Sequence, residues 1–495
     1  MDSFIKTFLK FAHKIAVTDS TGSYNYGEIL QKSERIATEI LNLNEDIKGK
    51  CIIFSINPGF NYISTLFGIW RAGAVAVPIY LNAPDPLIAY MVKDTDSKLF
   101  ISDNSNEKNT KENARKLQIH YLNVESQEFK SKAKLADIQL EENALVIYTS
   151  GTTGQPKGVL STHKILEFQI KTLVEAWHWS SEDCIINVLP LHHVHGLVNA
   201  LLCPLYVGAG IKFLDSFSTE KVWDCFKSGR INVFMAVPTI YIKLIADYEN
   251  SDETERNSRK KALSKFRLMV SGSAALSVQT FDKWHEISGH YLLERYGMTE
   301  IGMAISNPYE GIRKPGAVGF PLKGVEIRLY DESKNNKNAM QGEIQVKGPN
   351  VFKFYLNKTD ATKSTFTEDG WFKTGDMAIL EEGYYRILGR ISTDIIKSGG
   401  YKLSALEIEE AIRQHPAIED AAVLGIEDEE WGEIVAAAII LKSRFKSEEF
   451  KIKDLKDWLK AVLSNYKIPK KIILLDSFPR NAVGKVIKKD LIKLF

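Results

Sequence analysis

Short apolar runs alternate with amphipathic stretches through the first half of the chain. Cys51 to Ile56, Ala74 to Tyr80 and Leu99 to Ser102 read as strands, and the theme resumes at Ala144 to Tyr148, Cys184 to Leu189, Val233 to Val237, Arg267 to Ser271 and Tyr291 to Tyr296. Strands separated by helical patterns predict βαβ units and parallel sheet, where ligands gather at the carboxyl ends of the strands. Met1 to Lys14 carries Lys6, Lys10 and Lys14 among apolar residues at helical spacing. The polar stretches Asn104 to Arg115 and Glu249 to Lys261 read as surface connections.

The pattern changes around Gly389 to Gly400. A glycine-punctuated stretch leads into an amphipathic helix over Ala405 to Gln414, two apolar runs at Ala421 to Ile426 and Val435 to Leu441, and a further helix near Asp454 to Leu463. The expectation is an α/β protein with a large N-terminal domain of parallel and mixed sheets over residues 1–389. A small, mobile α+β domain over residues 390–495 follows, its boundary near Arg390.

Composition narrows the function classes. The chain has 495 residues, 44% of them hydrophobic, and a net charge of +2. That is ample for two cores and gives no field to attract nucleic acid; short basic runs such as Lys467 to Lys471 are solvated surface. Cys51, Cys184, Cys203 and Cys225 are scattered without paired spacing, as in reduced intracellular proteins. No run is long and apolar enough for a membrane span, and the N-terminus lacks the marks of a signal or transit peptide. The expected address is cytoplasmic, with the mitochondrial matrix as the alternative.

The segment richest in chemistry is Thr149 to Gly158, Thr-Ser-Gly-Thr-Thr-Gly-Gln-Pro-Lys-Gly, directly after an apolar strand. Gly151 and Gly154 let backbone N–H groups turn inward, the hydroxyls of Thr149, Ser150, Thr152 and Thr153 add donors, and Lys157 adds charge. Such a loop holds phosphate, with ATP as the expected guest. It is not the G-x-x-x-x-G-K-[ST] loop, because Gly158 follows the lysine where a Ser or Thr would meet Mg²⁺.

Further blocks follow in order: LPLHHVHGL at Leu189 to Leu197, SGSAAL at Ser271 to Leu276, YGMTE at Tyr296 to Glu300, FKTGD at Phe372 to Asp376, Gly389-Arg390, and PRNAVGK at Pro479 to Lys485. Together with the phosphate loop they resemble the adenylate-forming superfamily of acyl-CoA synthetases, luciferases and peptide-synthetase adenylation domains, over nearly the whole chain. The resemblance implies that a carboxylate attacks ATP to give acyl-AMP and pyrophosphate, after which a thiol displaces AMP. It implies further that Glu300 with Thr299 serves Mg²⁺ and phosphate, and that Gly272, Ser273, Tyr296 and Gly297 meet the nucleotide. Asp376 and Arg390 hold the ribose, and Lys485 bridges the carboxylate and the α-phosphate as the catalytic lysine. Gly399 and Gly400 match a turn presented to coenzyme A after the small domain rotates. The pivot implied is Ser392, Thr393 or Asp394.

The acid is read from the residues before YGMTE. Glu294-Arg295 precedes Tyr296, where many relatives that take apolar acids have glycine, and the resemblance implies that a guanidinium borders the acyl pocket. A buried, unpaired guanidinium is costly, and a second carboxylate on the substrate would complete it. The alternative is that Arg295 pairs with Glu294 or another internal acid. His193 and His195, on one side if the segment is extended, and the hydroxyls of Ser271 and Ser273 add polarity. A zinc site from His192, His193 and His195 has no convergent partner beyond Cys203. ERYGMTEIGMAIS, LPLHHVHGLVNALLCPL and INVFMAVPTIY resemble the malonyl-CoA synthetase branch of the superfamily, which implies a small dicarboxylic acid, malonate and also methylmalonate, as partner to ATP and coenzyme A. A ligase for another carboxylate, a carrier-protein loader and a luciferase-like oxygenase share the scaffold.

Overall fold

The structure, a computed structural model, describes residues 1–43, 47–126, 134–149, 155–399, 401–445, 447, 450–480 and 486–495. Two large sheets form the bulk of the chain. The nine-stranded sheet runs Phe320–Pro321, Gly302–Ser306, Leu293–Met298, Leu268–Ser271, Val233–Ala236, Cys184–Asn187, Gly210–Phe213, Ile15–Asp19, Gly22–Asn25. Its centre is parallel, and antiparallel pairs close both ends. The seven-stranded sheet centres on Cys51–Ser55, Val75–Pro78 and Asn143–Thr149, again parallel, with Lys157–Thr162 returning antiparallel along the last of these. The central strands are buried along their whole length, which is why they read as unbroken apolar runs. The largest core cluster spans both sheets and the helix Asp2–Lys10, whose Phe4 and Phe8 are buried as the helical spacing predicts.

A four-stranded antiparallel sheet, Glu326–Tyr330, Gln341–Lys347, Phe372–Glu381 and Tyr384–Arg390, had no counterpart in the sequence reading. Its strands mix charge into the pattern, as a sheet with one face toward solvent does. Beyond it, the separate small domain is built on Ile418–Asp428 and Gly432–Leu441, flanked by the hairpin Ile395–Ser398 and Tyr401–Ser404, with the helix Ala405–Arg413 packed against it.

Two expectations are corrected. The polar stretches read as connections contain helices, Glu107–Lys116 and Glu253–Leu263. Each is anchored by a few buried positions, such as Ala114 in the first and Arg259 in the second, whose guanidinium lies 4.8 Å from the centre of the Trp223 ring. The His193 to His195 segment is not extended either: it turns and enters a π-helix, His195–Leu202.

Candidate active site

A cavity of about 960 Å³ opens where the carboxyl ends of both large sheets meet the four-stranded sheet and the small domain. That volume suits a nucleotide with a small acid. Thr149 and Lys157, paired across neighbouring strands, reach it from one side. Ser150, Gly151, Thr152, Thr153 and Gly154, together with Gly400 and Lys485, lie outside the described residues.

The turn after Leu293–Met298 carries Thr299 and Glu300 into the cavity wall. Glu300 is buried and accepts a hydrogen bond from the Tyr355 hydroxyl at 2.8 Å. Burial raises its carboxyl above the usual range, against the pull of that hydroxyl, Arg390 and Lys157. Lys157 in turn sits 4.9 Å from the centre of the Tyr355 ring. Tyr355 therefore joins the phosphate-side lysine to the buried acid, a link the sequence blocks did not flag. Among the described residues no group of three or more His, Cys, Asp or Glu side chains converges as an all-protein metal cage. One buried carboxyl at the cavity wall is nevertheless a donor of the kind Mg²⁺ takes when phosphates supply its other oxygens.

A few residues away in the fold, Asp376 and Arg390 are direct partners in the pairing of Phe372–Glu381 with Tyr384–Arg390, so their side chains share a face. The guanidinium grips the carboxylate through Nε to Oδ1 at 2.9 Å and Nη2 to Oδ2 at 3.2 Å, and the Tyr296 hydroxyl donates to Oδ2 at 2.7 Å. Burial opposes the charge of Arg390, but Asp376 outweighs it and holds the guanidinium above its ordinary value. Tyr296 thus reaches the carboxylate by its hydroxyl. Its neighbour Gly297, which lines the cavity, leaves no room for a side chain, since a Cβ there would meet the Gly302 carbonyl oxygen at 2.1 Å.

The opposite wall is built on Arg295, which is 4% exposed. Its Nη2 donates to the Ser273 hydroxyl at 3.1 Å, and Nδ1 of His195 lies 3.1 Å from the same oxygen. Nε of Arg295 and Nε2 of His195 have no partner, and no carboxylate forms an ion pair with Arg295 among the described residues. Burial lowers its guanidinium to about 9, the mark of a cation stripped of water without compensation. The guanidinium lies over Gly272, where a Cβ would meet Cζ at 2.5 Å. Ser273 adopts φ +70, a left-handed conformation that costs a non-glycine residue energy and here aims its hydroxyl between arginine and histidine. Burial keeps His193 and His195 neutral, and the charge of Arg295 adds to the effect on His195.

Glu294 is not the partner of Arg295. Successive strand residues face opposite sides, so its carboxyl points away, is 6% exposed, and is raised to about 8 by burial and by the charge of Glu410. Ser271 is fully buried with an unpartnered hydroxyl and does not line the cavity. Gly399 also stands outside it, beneath the Trp431 ring, while Lys397 and Lys402 of the same hairpin reach the cavity. In the segment after Arg390, Ser392 is exposed at the cavity, Thr393 closes the turn, and Asp394 is buried, accepting from the Arg390 N–H at 3.1 Å and from Lys488 at 2.7 Å.

A nucleotide-sized cavity between two α/β sheets, with an acid-bound arginine on one wall and a hairpin of the small domain at its mouth, defines an adenylate-forming enzyme. Residues 5–356 match the family described as AMP-binding enzyme and residues 407–485 its C-terminal domain; the chain belongs to this family. It is 41% identical to a protein of Xenopus laevis named Malonate–CoA ligase ACSF3, mitochondrial, over 98% of this chain and 90% of that one. Among solved structures, ATP-bound MatB from Rhodopseudomonas palustris superposes with a TM-score of 0.89 at 32% identity, covering 99% of this chain and 98% of that one. A malonyl-CoA ligase ternary product complex with methylmalonyl-CoA and AMP bound gives 0.69 at 34% identity, covering 95% and 97%. The family resemblance read from the sequence blocks is thereby met, and the chain is an AMP-forming acyl-CoA synthetase.

Proposed function

We infer that the chain is an ATP-dependent malonate:CoA ligase that also accepts methylmalonate. The observation that carries this is Arg295, a buried guanidinium with an unpartnered Nε at the wall of the nucleotide cavity. A substrate with a second carboxylate supplies the missing charge, and the neutral His195 and the Ser273 hydroxyl complete its hydrogen bonds. The relatives' names agree with this acid.

In the first step an oxygen of one malonate carboxylate attacks the α-phosphorus of ATP, and pyrophosphate leaves with the electrons of the broken P–O bond. Lys485 spreads the charge that builds on the α-phosphate, and Thr149, Ser150, Gly151, Thr152, Thr153, Gly154 and Lys157 grip the leaving phosphates. Asp376 accepts from the ribose hydroxyls while Arg390 holds its carboxylate in place through two hydrogen bonds, and Tyr296 packs beside the base. Glu300, with Thr299, would hold Mg²⁺, which when bound neutralises charge on the phosphates. In the second step the small domain turns, the coenzyme A sulfur, having given up its proton, attacks the acyl carbon and AMP leaves; Gly399 and Gly400 belong to the turn that the movement would present to the thiol. The domain boundary lies at Arg390, with Ser392 as pivot: it is exposed, whereas Asp394 is buried and ion-paired. No helix among the described residues is long and apolar enough to cross a membrane, and the name of the Xenopus laevis relative supports a mitochondrial address as the alternative to a cytoplasmic one.

Thioester formation across malonate, methylmalonate, succinate, acetate and octanoate tests the reading. Malonate and methylmalonate are expected to lead; octanoate as best substrate would overturn it. One methyl group changes pocket binding by about 1 to 3 kcal/mol, so the two leaders are expected to differ by no more than about two decades, in either order.

A further inference from the structure

We propose that Glu410 is a positioning residue that holds the small domain in the arrangement used for adenylate formation. It sits on the helix Ala405–Arg413 of the small domain, and its Oε1 accepts the backbone N–H of Val278 at 3.0 Å. Val278 is the first residue of the helix Val278–Ser288 in the large domain. The N–H groups of a first helical turn have no partner within their own helix. Here Ser277 caps the N–H of Thr280 with its own side chain, and the N–H of Val278 is left to the other domain. The contact is short-range and directional, so it exists in one domain arrangement and is lost when the small domain turns. The chain's arrangement follows the ATP-bound relative more closely than the product-bound one, although identity to the second is slightly higher.

The surroundings make this a poised contact. Glu410 is half-buried, and the charges of Glu409 and Asp282 add to its burial in raising its carboxyl, against Arg413 and the Val278 N–H. Glu294 faces it from the strand that carries Arg295. The hydrogen bond from Val278 thus ties an acid whose neighbours are both acids and Arg413, a contact modest enough to be given up when the small domain turns. The segment between Ser271 and Val278 also carries Ser273, so the grip of Glu410 falls on the loop that supports the acyl wall.

This rests on the two-step reading above, and its test separates the steps. Glu410→Ala is expected to lower malonate-dependent pyrophosphate release about tenfold, while thioester formation from supplied malonyl-AMP and coenzyme A stays within about twofold. Glu410→Gln, which keeps the acceptor oxygen, should recover most of the loss. Val278→Pro removes the donor itself. Proline is at home in the first helical position, and Ser277 already has the extended φ −69, ψ 145 that a following proline requires. It should reproduce the Glu410→Ala defect, and the double variant should be no worse than either alone. Hydrogen exchange at the Val278 amide reads the contact without turnover: slow in the wild type and fast in Glu410→Ala. Equal losses in both half-reactions, or unchanged exchange at Val278, would overturn the proposal. Wild-type pyrophosphate release with malonate tests the function itself and leaves the ratio between variants as a separate reading of Glu410.

Discussion

Arg390 and Arg295 both present a guanidinium to the same cavity, and their surroundings are opposite. Arg390 is gripped on both arms by Asp376, with Tyr296 closing the far oxygen, so its charge is settled before any ligand arrives. Arg295 has only the Ser273 hydroxyl and an unpartnered Nε, although it is the more deeply buried of the two. A guanidinium paired in advance orients a neighbouring carboxylate for every substrate that enters. One left unpaired gains most from a ligand that brings the missing charge, and so discriminates among ligands. On the proposed function, the wall with Arg390 is common to any acid the enzyme activates, and the wall with Arg295 selects among acids.

Substitutions on the two walls test this division. Asp376→Ala removes the acceptor for the ribose and strands Arg390; kcat/KM should fall about 10³-fold for malonate and acetate alike, at about 1.4 kcal/mol per decade for charged hydrogen bonds worth about 2 kcal/mol each. A loss confined to one acid would break the comparison. Arg295→Ala should cost about 10²-fold on malonate and little on acetate, because only malonate carries the carboxylate left unpaired. Equal losses on both would mean that Arg295 is structural. Gly272→Ala places a methyl group where the guanidinium lies, and about a tenfold loss on malonate is expected with a smaller loss on acetate.

Glu294→Gln should affect turnover least and sharpen the contrast between adjacent residues. In the unfolded chain this carboxyl ionises near 4.5, whereas in the fold it holds its proton to about 8. Over that range the unfolded state sheds a proton that the folded state keeps, so wild-type stability falls as pH rises and levels off above about 8. The glutamine variant lacks this slope and should gain on the wild type by about 1 to 3 kcal/mol between pH 5 and 8 in urea unfolding. Parallel curves would show that the carboxyl is not desolvated.

The apolar runs of the parallel sheets were legible because strands buried on both faces must be apolar throughout; Leu99–Ser102 appears in the fold with the bounds read from the chain. The antiparallel sheet that carries Asp376 and Arg390 was not, because its half-solvated strands carry charge that masks the alternation. The helix Glu253–Leu263 went unread for a related reason, since its buried anchors include an arginine stacked on Trp223. At the site, the blocks identified Glu300, Asp376, Arg390 and Arg295 by type and order, and Tyr355 escaped because it belongs to none of them.

By itself the order of residues determined the family and the groups available to it: a loop of glycines, hydroxyls and a lysine, an acid and an arginine in later blocks, and a guanidinium ahead of YGMTE. Only the tertiary structure decided which charges meet. It turned Glu294 away from Arg295, joined Asp376 to Arg390 across a strand pair, set His195 at the start of a π-helix rather than on a strand, and brought Glu410 from the far domain to the amide of Val278. Composition and spacing specify what a side chain can do. Pairing depends on distances of about 3 Å between residues far apart in the chain, and these follow from strand register and packing.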